Sequence, residues 1–423
     1  MRSRLAARLA RGASGSILLT AALGPAQSAQ AAQAVFHVPC SASALASAIT
    51  TASSGAALSL APRCHYSLTE ALPAVGQDLT IAGNGATLVR SYAPGTATFT
   101  ILTLDAGSLT LADLNFRHGD GAVLVRGPGV LTINGGVFAE NTAANGGAID
   151  DMSENGTQVN GATFIGNSAA NAGGAIYAGG LNGVVVKHST FIGNTAGQGG
   201  ALFDFAFEGS SLSDSRFTGN KAGSGGALDF DAVIDGSASH ILVSGNYATV
   251  EGGGILAASN FWSISDSVIS GNHADGNGGG LVDYSFATSS IQSSYILRNS
   301  ADYGGGLYLH SGDLKLTTNL IAGNHARIDG GGVYAAGSSF DLSSASFADT
   351  TIRQNYAGRR GGGIYNQADV AATRTSIVDN AATGGGGIYN DGPAAAVTLT
   401  GSNVLANIPD NCEPHGSIAM CTG

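Results

Sequence analysis

Charged residues are scarce in this sequence, and basic residues are scarcer than acidic ones. Of its 423 residues 11% are Asp, Glu, Lys or Arg, and 18 basic residues stand against 29 acidic ones, for a formal net charge of −11. A protein that binds nucleic acid needs a basic patch to contact the phosphate backbone. The composition therefore argues against nucleic acid as a partner.

Lysine is particularly rare, and its only copies are Lys187, Lys221 and Lys315. A polysaccharide lyase needs basic groups in its cleft to abstract a proton, so this scarcity disfavours a lyase. The adjacent Arg359 and Arg360 lie in a predicted turn, where we expect both to be solvated.

Cysteine is also scarce, and its copies lie only near the two ends of the chain. They are Cys40, Cys64, Cys412 and Cys421. The nine histidines are scattered, and no group of His, Cys or acidic residues has the spacing of a metal site. We therefore expect neither a metal nor another cofactor.

The amino-terminal apolar stretch, residues 17–23, is far shorter than the roughly 20 residues that a membrane-spanning helix needs. Small residues follow it, and four basic residues precede it: Arg2, Arg4, Arg8 and Arg11. This is the layout of a secretory signal peptide, which we predict for residues 1–31, with cleavage after Ala31 or Ala34. We expect a secreted or extracellular protein, with attachment to the cell surface left open and no membrane span in the mature form.

Glycine, by contrast, is abundant, with 65 copies, and it marks an internal repeat. An apolar residue, two variable residues and Asn are followed by a short turn, a pair of glycines and an aliphatic residue. The ten asparagines of this repeat are 25 to 31 residues apart: Asn141, Asn167, Asn194, Asn220, Asn246, Asn272, Asn299, Asn324, Asn355 and Asn380. A fixed period of about 26 residues is typical of a solenoid.

The repeat predicts strands and not helices, because a Gly inside a helix costs roughly 1 kcal/mol relative to Ala. Short β-rich segments between the Gly and Asn corners indicate an all-β, single-stranded, right-handed parallel β-helix, with one coil per repeat. Three residues before Asn the chain has Phe in the first four copies and Ile in the last five. We expect these side chains to stack in an inward column, and the asparagines to form a hydrogen-bonded structural ladder.

The ends of a solenoid need caps, because an open end exposes apolar surface and unpaired strand edges. Residues 35–70 form the predicted amino-terminal cap, with a short helix that places Leu45 and Ile49 on one face. Residues 71–400 form the predicted β-helix, with ten regular coils from about residue 131, and residues 401–423 the carboxy-terminal cap.

The four cysteines allow three disulfide pairings. We prefer Cys40–Cys64 and Cys412–Cys421, because the two pairs would lie at opposite ends of an elongated body. Free structural thiols remain an alternative.

The paired phrases Phe164 to Asn167 and Gly173 to Ile176 resemble the repeat of the polymorphic outer membrane proteins. They are also similar to secreted right-handed β-helix proteins of the pectate-lyase-like fold. The resemblance implies a surface adhesin. Because no apolar anchor follows the last repeat, we expect this chain to lack the carboxy-terminal membrane domain of that family.

Acidic and aromatic residues follow the Gly pairs of four central coils. They are the predicted binding residues: Asp150, Asp151, Asp204, Asp229, Asp231, Asp283 and Tyr284. Neighbouring coils would place such carboxylates about 5 to 10 Å apart, which suits a general acid and base at a glycosidic bond. Asp204, Asp229 and Asp231 are the candidate catalytic residues, with Asp283 assisting. Alternation of polar and apolar residues is also what any strand with one wet face displays, so a purely structural role stays open.

Three functional hypotheses follow. The first is a non-enzymatic scaffold that presents an extended surface for binding or adhesion to a glycan or another cell-surface component. The second is a polysaccharide-active enzyme, a glycoside hydrolase or lyase that uses the aspartates. The third is a structural surface coat that self-associates. The sequence leaves the oligomeric state open.

Overall fold

The structure is a computed structural model that describes residues 35–337, 343–392 and 396–421. Over these residues the chain winds into a right-handed parallel β-helix, which confirms the predicted fold class. The predicted signal peptide lies outside the described residues. Among the described helices, none is long and apolar enough to cross a bilayer.

Sheet A has 27 strands, and each regular coil contributes two of them. A two-residue bend separates the two strands, and its first residue has a left-handed backbone, as at Asp214 with φ 49°. The strands of sheet A are Val35–Val38, Ala56–Leu60, His65–Leu68, Leu79–Arg90, Ser108–Arg117, Val130–Asn134, Val137–Ala139, Thr157–Asn160, Thr163–Ile165, Val185–Lys187, Thr190–Ile192, Ser211–Ser213, Arg216–Thr218, Gly236–Ser239, Leu242–Ser244, Trp262–Ser265, Val268–Ser270, Thr288–Gln292, Tyr295–Leu297, Asp313–Thr317, Leu320–Ala322, Ser344–Ala348, Thr351–Arg353, Asp369–Thr373, Ser376–Val378, Ala396–Thr400 and Asn403–Leu405.

Sheet B has 13 strands, one from each coil, and it carries the candidate functional residues. Its strands are Leu102–Leu104, Val123–Gly127, Ile149–Ser153, Ile176–Ala178, Leu202–Asp204, Leu228–Phe230, Ile255–Ala257, Leu281–Asp283, Leu307–Leu309, Val333–Ala335, Ile364–Asn366, Ile388–Asn390 and Cys412–Glu413.

Sheet C lies between the asparagine corner and the Gly pair. It comprises a group of six strands and a separate group of two. Its strands are Thr142–Asn145, Ser168–Ala172, Lys221–Ser224, Tyr247–Glu251, His273–Ala274, Ser300–Tyr303, His325–Asp329 and Tyr356–Ala357.

The core is a set of columns in which the same residue type recurs from coil to coil. Five phenylalanine rings stack with centroids 4.7 to 4.9 Å apart: Phe116, Phe138, Phe164, Phe191 and Phe217. Val243 and the isoleucines of the later coils continue the column and are fully buried. Matched shapes at the inter-strand spacing fill the interior without voids, as the repeat predicts.

The ten repeat asparagines form one hydrogen-bonded ladder. Asn220 is typical, since its Nδ2 donates to Phe191 O at 3.2 Å and to Asn246 Oδ1 at 3.0 Å. Its own Oδ1 accepts from the backbone N and from Nδ2 of Asn194. The ladder continues past Asn380 to Asn407, whose Oδ1 accepts from Asn380 Nδ2 at 3.0 Å.

The two glycines of each pair have different structural roles. The first has a left-handed backbone, as at Gly225 with φ 60°. The second lets neighbouring coils approach closely, because a Cβ on Gly226 would lie 2.1 Å from Gly253 O. The sequence predicts the turn at the first position, but not the packing constraint at the second.

At the amino end, the helix Ala42–Thr51 buries Leu45 and Ile49 against the first coils, as their spacing predicts. Ser41 caps this helix by accepting a hydrogen bond from Ala44 N. The Cys40–Cys64 disulfide ties the segment before the helix to the first coils.

At the carboxy end, the coils continue beyond the predicted boundary at residue 401. Asn403–Leu405 pairs with sheet A, and Cys412–Glu413 pairs with sheet B. The Cys412–Cys421 disulfide closes the segment that follows. The phrase from Val404 to Asn407 has the spacing of the repeat, but it was missed because no Gly pair follows it.

Candidate functional site

Each strand of sheet B alternates between the interior and the outer surface of the coil. In each coil the first residue of the strand after the Gly pair points inward and the second points outward. Parallel pairing places these second residues side by side along the sheet, and we call this row the outer file. Its members are Asp150, Tyr177, Phe203, Asp229, Leu256, Val282, Tyr308, Tyr334, Tyr365 and Tyr389.

Alternation divides the predicted aspartates between two sides of the sheet. Asp151, Asp204 and Asp283 point inward and are fully buried. Their carboxylates accept backbone N–H groups at the next corner; Asp204, for example, accepts from Ala206 at 3.3 Å and from Ser210 at 2.6 Å. Burial nevertheless raises the pKa of Asp204 to about 6. These three residues stabilise corners and present no group on the surface.

Asp229 is the outward acid with the most unusual surroundings. It lies in register between Phe203 and Leu256 and is 1% exposed. Of the described aspartates it alone leaves both carboxylate oxygens buried without a hydrogen-bond partner in the protein. Burial, and then the negative charges of Asp231 and Glu251, raise the pKa of Asp229 well above its ordinary value. These surroundings therefore favour the neutral form of the Asp229 carboxyl over the ionised form more than water does.

Asp150, the other aspartate of the outer file, lies beside Tyr177 near the amino-terminal end of the face. Burial and the neighbouring charge of Asp151 raise the pKa of Asp150 to about 6. It is three coils away from Asp229, so the two carboxyls are separated by roughly three strand spacings of 4.8 Å. The structure therefore does not bring Asp150 into the group around Asp229.

Two residues beyond the outer file, each coil contributes a further outward residue; we call this row the second outer file. Asp231 and Tyr284 belong to it and are half-buried. The Tyr284 hydroxyl donates to Glu251 Oε2 at 2.6 Å. This bond crosses the outer file, where Leu256 and Val282 face outward and are nevertheless buried. Asp229, Asp231, Glu251 and Tyr284 therefore form one polar group on an otherwise apolar face.

Exposed phenylalanines border this polar group. Phe205 belongs to the second outer file and is 54% exposed, and Phe207 follows it at 47%. On later coils Phe261 is 48% and Phe286 73% exposed. Exposed aromatic patches of this kind are uncommon on a soluble protein unless they bind something. We call the polar group and these four rings the acid–aromatic face.

Towards the carboxy end, the outer file becomes a tyrosine ladder. Tyr308, Tyr334, Tyr365 and Tyr389 stack with centroids 4.7 to 5.7 Å apart. The Arg360 guanidinium lies 5.0 Å from the Tyr365 ring centroid and 4.9 Å from that of Tyr389. Its NH2 group also lies 3.3 Å from Oδ2 of the buried Asp329.

Arg360 is therefore not the solvated turn residue that the sequence suggests. It packs against the rings of the tyrosine ladder, and its guanidinium forms ion pairs with Asp329 and Asp391. The distance from its NH1 group to Asp391 Oδ2 is 3.5 Å. No group of three or more His, Cys, Asp or Glu in the described ranges could hold a metal ion.

Glu251 and the exposed Phe261 and Phe286 are functional candidates that the sequence pattern does not single out. Glu251 directly precedes a Gly pair, in the segment that the repeat predicts to be a short turn. In the structure this position borders sheet B, and its members align from coil to coil: Gln198, Ser224, Glu251, Asn277, Tyr303, Asp329 and Arg360. Its constant offset from the glycines was the signal that could have identified it.

Residues 161–179 and 188–204, which lie in two consecutive coils, match the Chlamydia polymorphic membrane protein (Chlamydia_PMP) repeat. In these two coils the chain is similar to the repeat of that family. The matched residues include the Phe and Asn columns and the Gly pair. No curated protein matches the sequence significantly.

This β-helix repeat protein is also similar in structure to the periplasmic alginate epimerase AlgG, whose crystal structure is known. The TM-score is 0.51 and the identity 12%, over 87% of this chain and 83% of the epimerase. At that identity the likeness concerns the β-helix fold alone.

Proposed function

We propose that the protein is a secreted or envelope-associated scaffold that binds polysaccharide on the acid–aromatic face. The observation that carries the proposal is the row of exposed phenylalanines beside Asp231 and the Tyr284–Glu251 pair. A sugar ring has an apolar face of C–H groups and an equator of hydroxyls. Aromatic rings contact the first, and carboxylates accept hydrogen bonds from the second.

The length of the face favours a polymer over a small molecule. Phe205 and Phe286 lie three coils apart, so the rings extend over roughly 14 Å at the inter-strand spacing. Binding of successive sugar units along such a row adds up without a deep pocket. The leader-like first 31 residues, the two disulfides and the likeness to the polymorphic membrane protein repeat support a location at or outside the cell envelope.

Retention of the protein in gels that contain soluble polysaccharides tests this proposal. We expect retardation by at least one polysaccharide, and a clear loss of it in the double variant Phe205→Ala and Phe207→Ala. Tyr295→Ala is the matched control, because Tyr295 is 50% exposed but lies on sheet A. Equal retention of the double variant and wild type would exclude this face as the binding surface.

Polysaccharide cleavage is a second candidate function, and the buried carboxyl of Asp229, neither of whose oxygens has a hydrogen-bond partner in the protein, is the observation that favours it. Asp229 would donate its proton to the glycosidic oxygen as the bond to the sugar carbon breaks. Asp231, two residues away, would act as the base and take a proton from the attacking water. The structural similarity to an epimerase of alginate is compatible with chemistry on a polysaccharide. Binding remains the first proposal, because Asp229 is 1% exposed and its covering side chains must move before a substrate reaches it.

Release of reducing ends from a panel of polysaccharides separates the two candidates. A scaffold leaves the polymers intact, whereas an enzyme releases reducing ends with wild type and not with Asp229→Asn. Asp235→Asn is the control, since Asp235 is an exposed acid on the following loop. Release that persists unchanged in Asp229→Asn would exclude this residue as the acid.

A further inference from the structure

We propose that the bound polysaccharide is neutral and that one of its sugar rings lies in a cleft beside Phe261 and Phe286. The inference rests on the proposed polysaccharide binding and goes beyond it by defining the substrate class and a subsite. The cleft is distinct from the group around Asp229 and lies where the acid–aromatic face meets sheet A.

The cleft has a volume of about 400 Å³, near the lower end of the range of ligand pockets in proteins. One or two sugar rings fit this space. Its lining includes Phe261, Phe286, Thr288, Ser311, Gly312 and Asp313.

Two phenylalanines from consecutive coils form the aromatic wall. In the described part of the chain neither ring stacks on another aromatic side chain, whereas the Phe205 ring is 6.2 Å from that of Phe203. The faces of Phe261 and Phe286 are therefore open to a ligand, and Phe286 is 73% exposed. Leaving this much aromatic surface in water is unfavourable, and a sugar ring would cover it.

Gly312 lines the cleft and belongs to the coil that follows the one carrying Phe286. A Cβ at Gly312 would lie 2.5 Å from Ser285 O, and its φ is 71°, so the backbone itself favours glycine.

Polar groups form the side of the cleft that faces the phenylalanines. Asp313 and Thr288 are exposed and in register on adjacent strands of sheet A. Asp313 Oδ1 accepts a hydrogen bond from Ser344 Oγ, which orients the carboxylate. A carboxylate at this position accepts hydrogen bonds from sugar hydroxyls and repels the carboxylate of a uronic acid.

The charges around the cleft are what exclude acidic polysaccharides. Asp231, Glu251 and Asp313 lie on or beside the face, and the chain carries a net charge of −11. Neither outer file contains Lys or Arg between Tyr177 and Tyr308. Lys315, two residues beyond Asp313 on sheet A, is a single compensating charge. A polymer with one carboxylate per sugar would meet repulsion along its whole length.

The test compares two neutral polymers, mixed-linkage β-glucan and galactomannan, with two acidic ones, alginate and polygalacturonate. Binding is measured by affinity electrophoresis and calorimetry at an ionic strength of about 10 mM, where charges act over roughly 30 Å. We expect binding of at least one neutral polymer and none of either acidic one. Truncating an aromatic anchor typically weakens binding by about tenfold or more, which we expect for Phe286→Ala combined with Phe261→Ala. Tyr356→Ala, which removes a ring on sheet C that is 47% exposed, should leave affinity unchanged.

Each other outcome overturns a defined part of the proposal. Binding of alginate or polygalacturonate as tight as that of a neutral polymer overturns the substrate class but leaves polysaccharide binding intact. Neutral binding that survives loss of both phenylalanines overturns the subsite. Binding of none of the four polymers overturns the inference together with the proposed function. Both phenylalanines are exposed, so the variants are expected to fold, which circular dichroism verifies.

Discussion

The hydroxyl of Tyr284 donates a 2.6 Å hydrogen bond to Glu251 Oε2, across the outer file and between two consecutive coils. Burial, and then this carboxylate, raise the pKa of the Tyr284 phenol above its usual range. The bond fixes the Tyr284 ring within the acid–aromatic face.

Tyr284→Phe removes this hydroxyl and keeps the ring. Hydrogen bonds to charged groups contribute about 1.5 to 3 kcal/mol, so we expect the free energy of unfolding to fall by about 2 kcal/mol. Urea denaturation followed by fluorescence measures the change. Tyr295→Phe, on an exposed ring, should change it by less than about 0.5 kcal/mol. Equal stabilities for the two variants would show that the Tyr284–Glu251 bond does not hold the coils together.

Asn220→Ala should destabilise the protein more strongly. It removes the Oδ1 that accepts from the backbone N and Nδ2 of Asn194. It also removes the Nδ2 that donates to Phe191 O and to Asn246 Oδ1, and all of these groups are in the interior. A buried polar group left without a partner costs about 1 to 3 kcal/mol, so we expect a total loss of about 3 kcal/mol or more. Asn155→Ala is the control, because Asn155 is exposed and makes one hydrogen bond, to Pro128 O. A loss no larger than that of the control would contradict the ladder.

The columns of the fold could be predicted from the sequence because each repeats ten times. The spacing alone predicts the length of a coil, the inward Phe and Ile residues and the buried asparagines, because stacked coils must place equivalent residues in register. Asn407 shows the limit: it continues the ladder in a coil that has lost its Gly pair. The sequence repeat is defined by the Asn and the Gly pair together, whereas the hydrogen-bonded ladder requires only the Asn.

The candidate site was less predictable, because it depends on the differences between coils. The sequence grouped Asp204 with Asp229, but strand alternation places the first inside and the second outside. A shift of one residue along a strand moves a side chain to the other side of the sheet. The residue at which a strand begins does not follow from composition. Contacts such as Tyr284–Glu251 depend on side-chain reach between coils, for which no repeat gives a signal.

A comparison of two glycine substitutions tests whether the second glycine of the pair is required for the close approach of neighbouring coils. A Cβ at Gly226 would lie 2.1 Å from Gly253 O, whereas one at Gly219 would meet nothing within 4 Å. We expect Gly226→Ala to prevent accumulation of folded protein, since the backbone of the next coil cannot move away. Gly219→Ala should fold with a loss of about 1 to 2 kcal/mol, because Gly219 has a φ of 64°. Soluble yield and thermal denaturation measure both, and similar behaviour of the two variants would refute the close-approach explanation.

Buried carboxyls should make the protein more stable in mild acid than at neutral pH. The folded state raises the pKa of Asp150 and Asp204 to about 6 and that of Asp229 well above its ordinary value near 4. The folded state therefore binds more protons than the unfolded state above about pH 4. The stability from these groups is complete below that pH and is lost as the pH rises through the folded-state values.

Asp229→Asn should flatten this dependence. At pH 7.5 the unfolded chain gains the free energy of ionising Asp229, whereas the folded chain either stays protonated or buries an unpaired charge. A neutral amide of the same shape removes that difference, so we expect the variant to be more stable than wild type by about 2 kcal/mol at pH 7.5. At pH 4 the advantage should be small, because wild-type Asp229 is then protonated in the folded state and about half protonated in the unfolded chain. Thermal denaturation from pH 4 to 8 measures the effect, with exposed Asp235→Asn as the control. A variant whose profile runs parallel to that of wild type would show that Asp229 is ionised and partnered in solution, which would also remove the basis for its role as a proton donor.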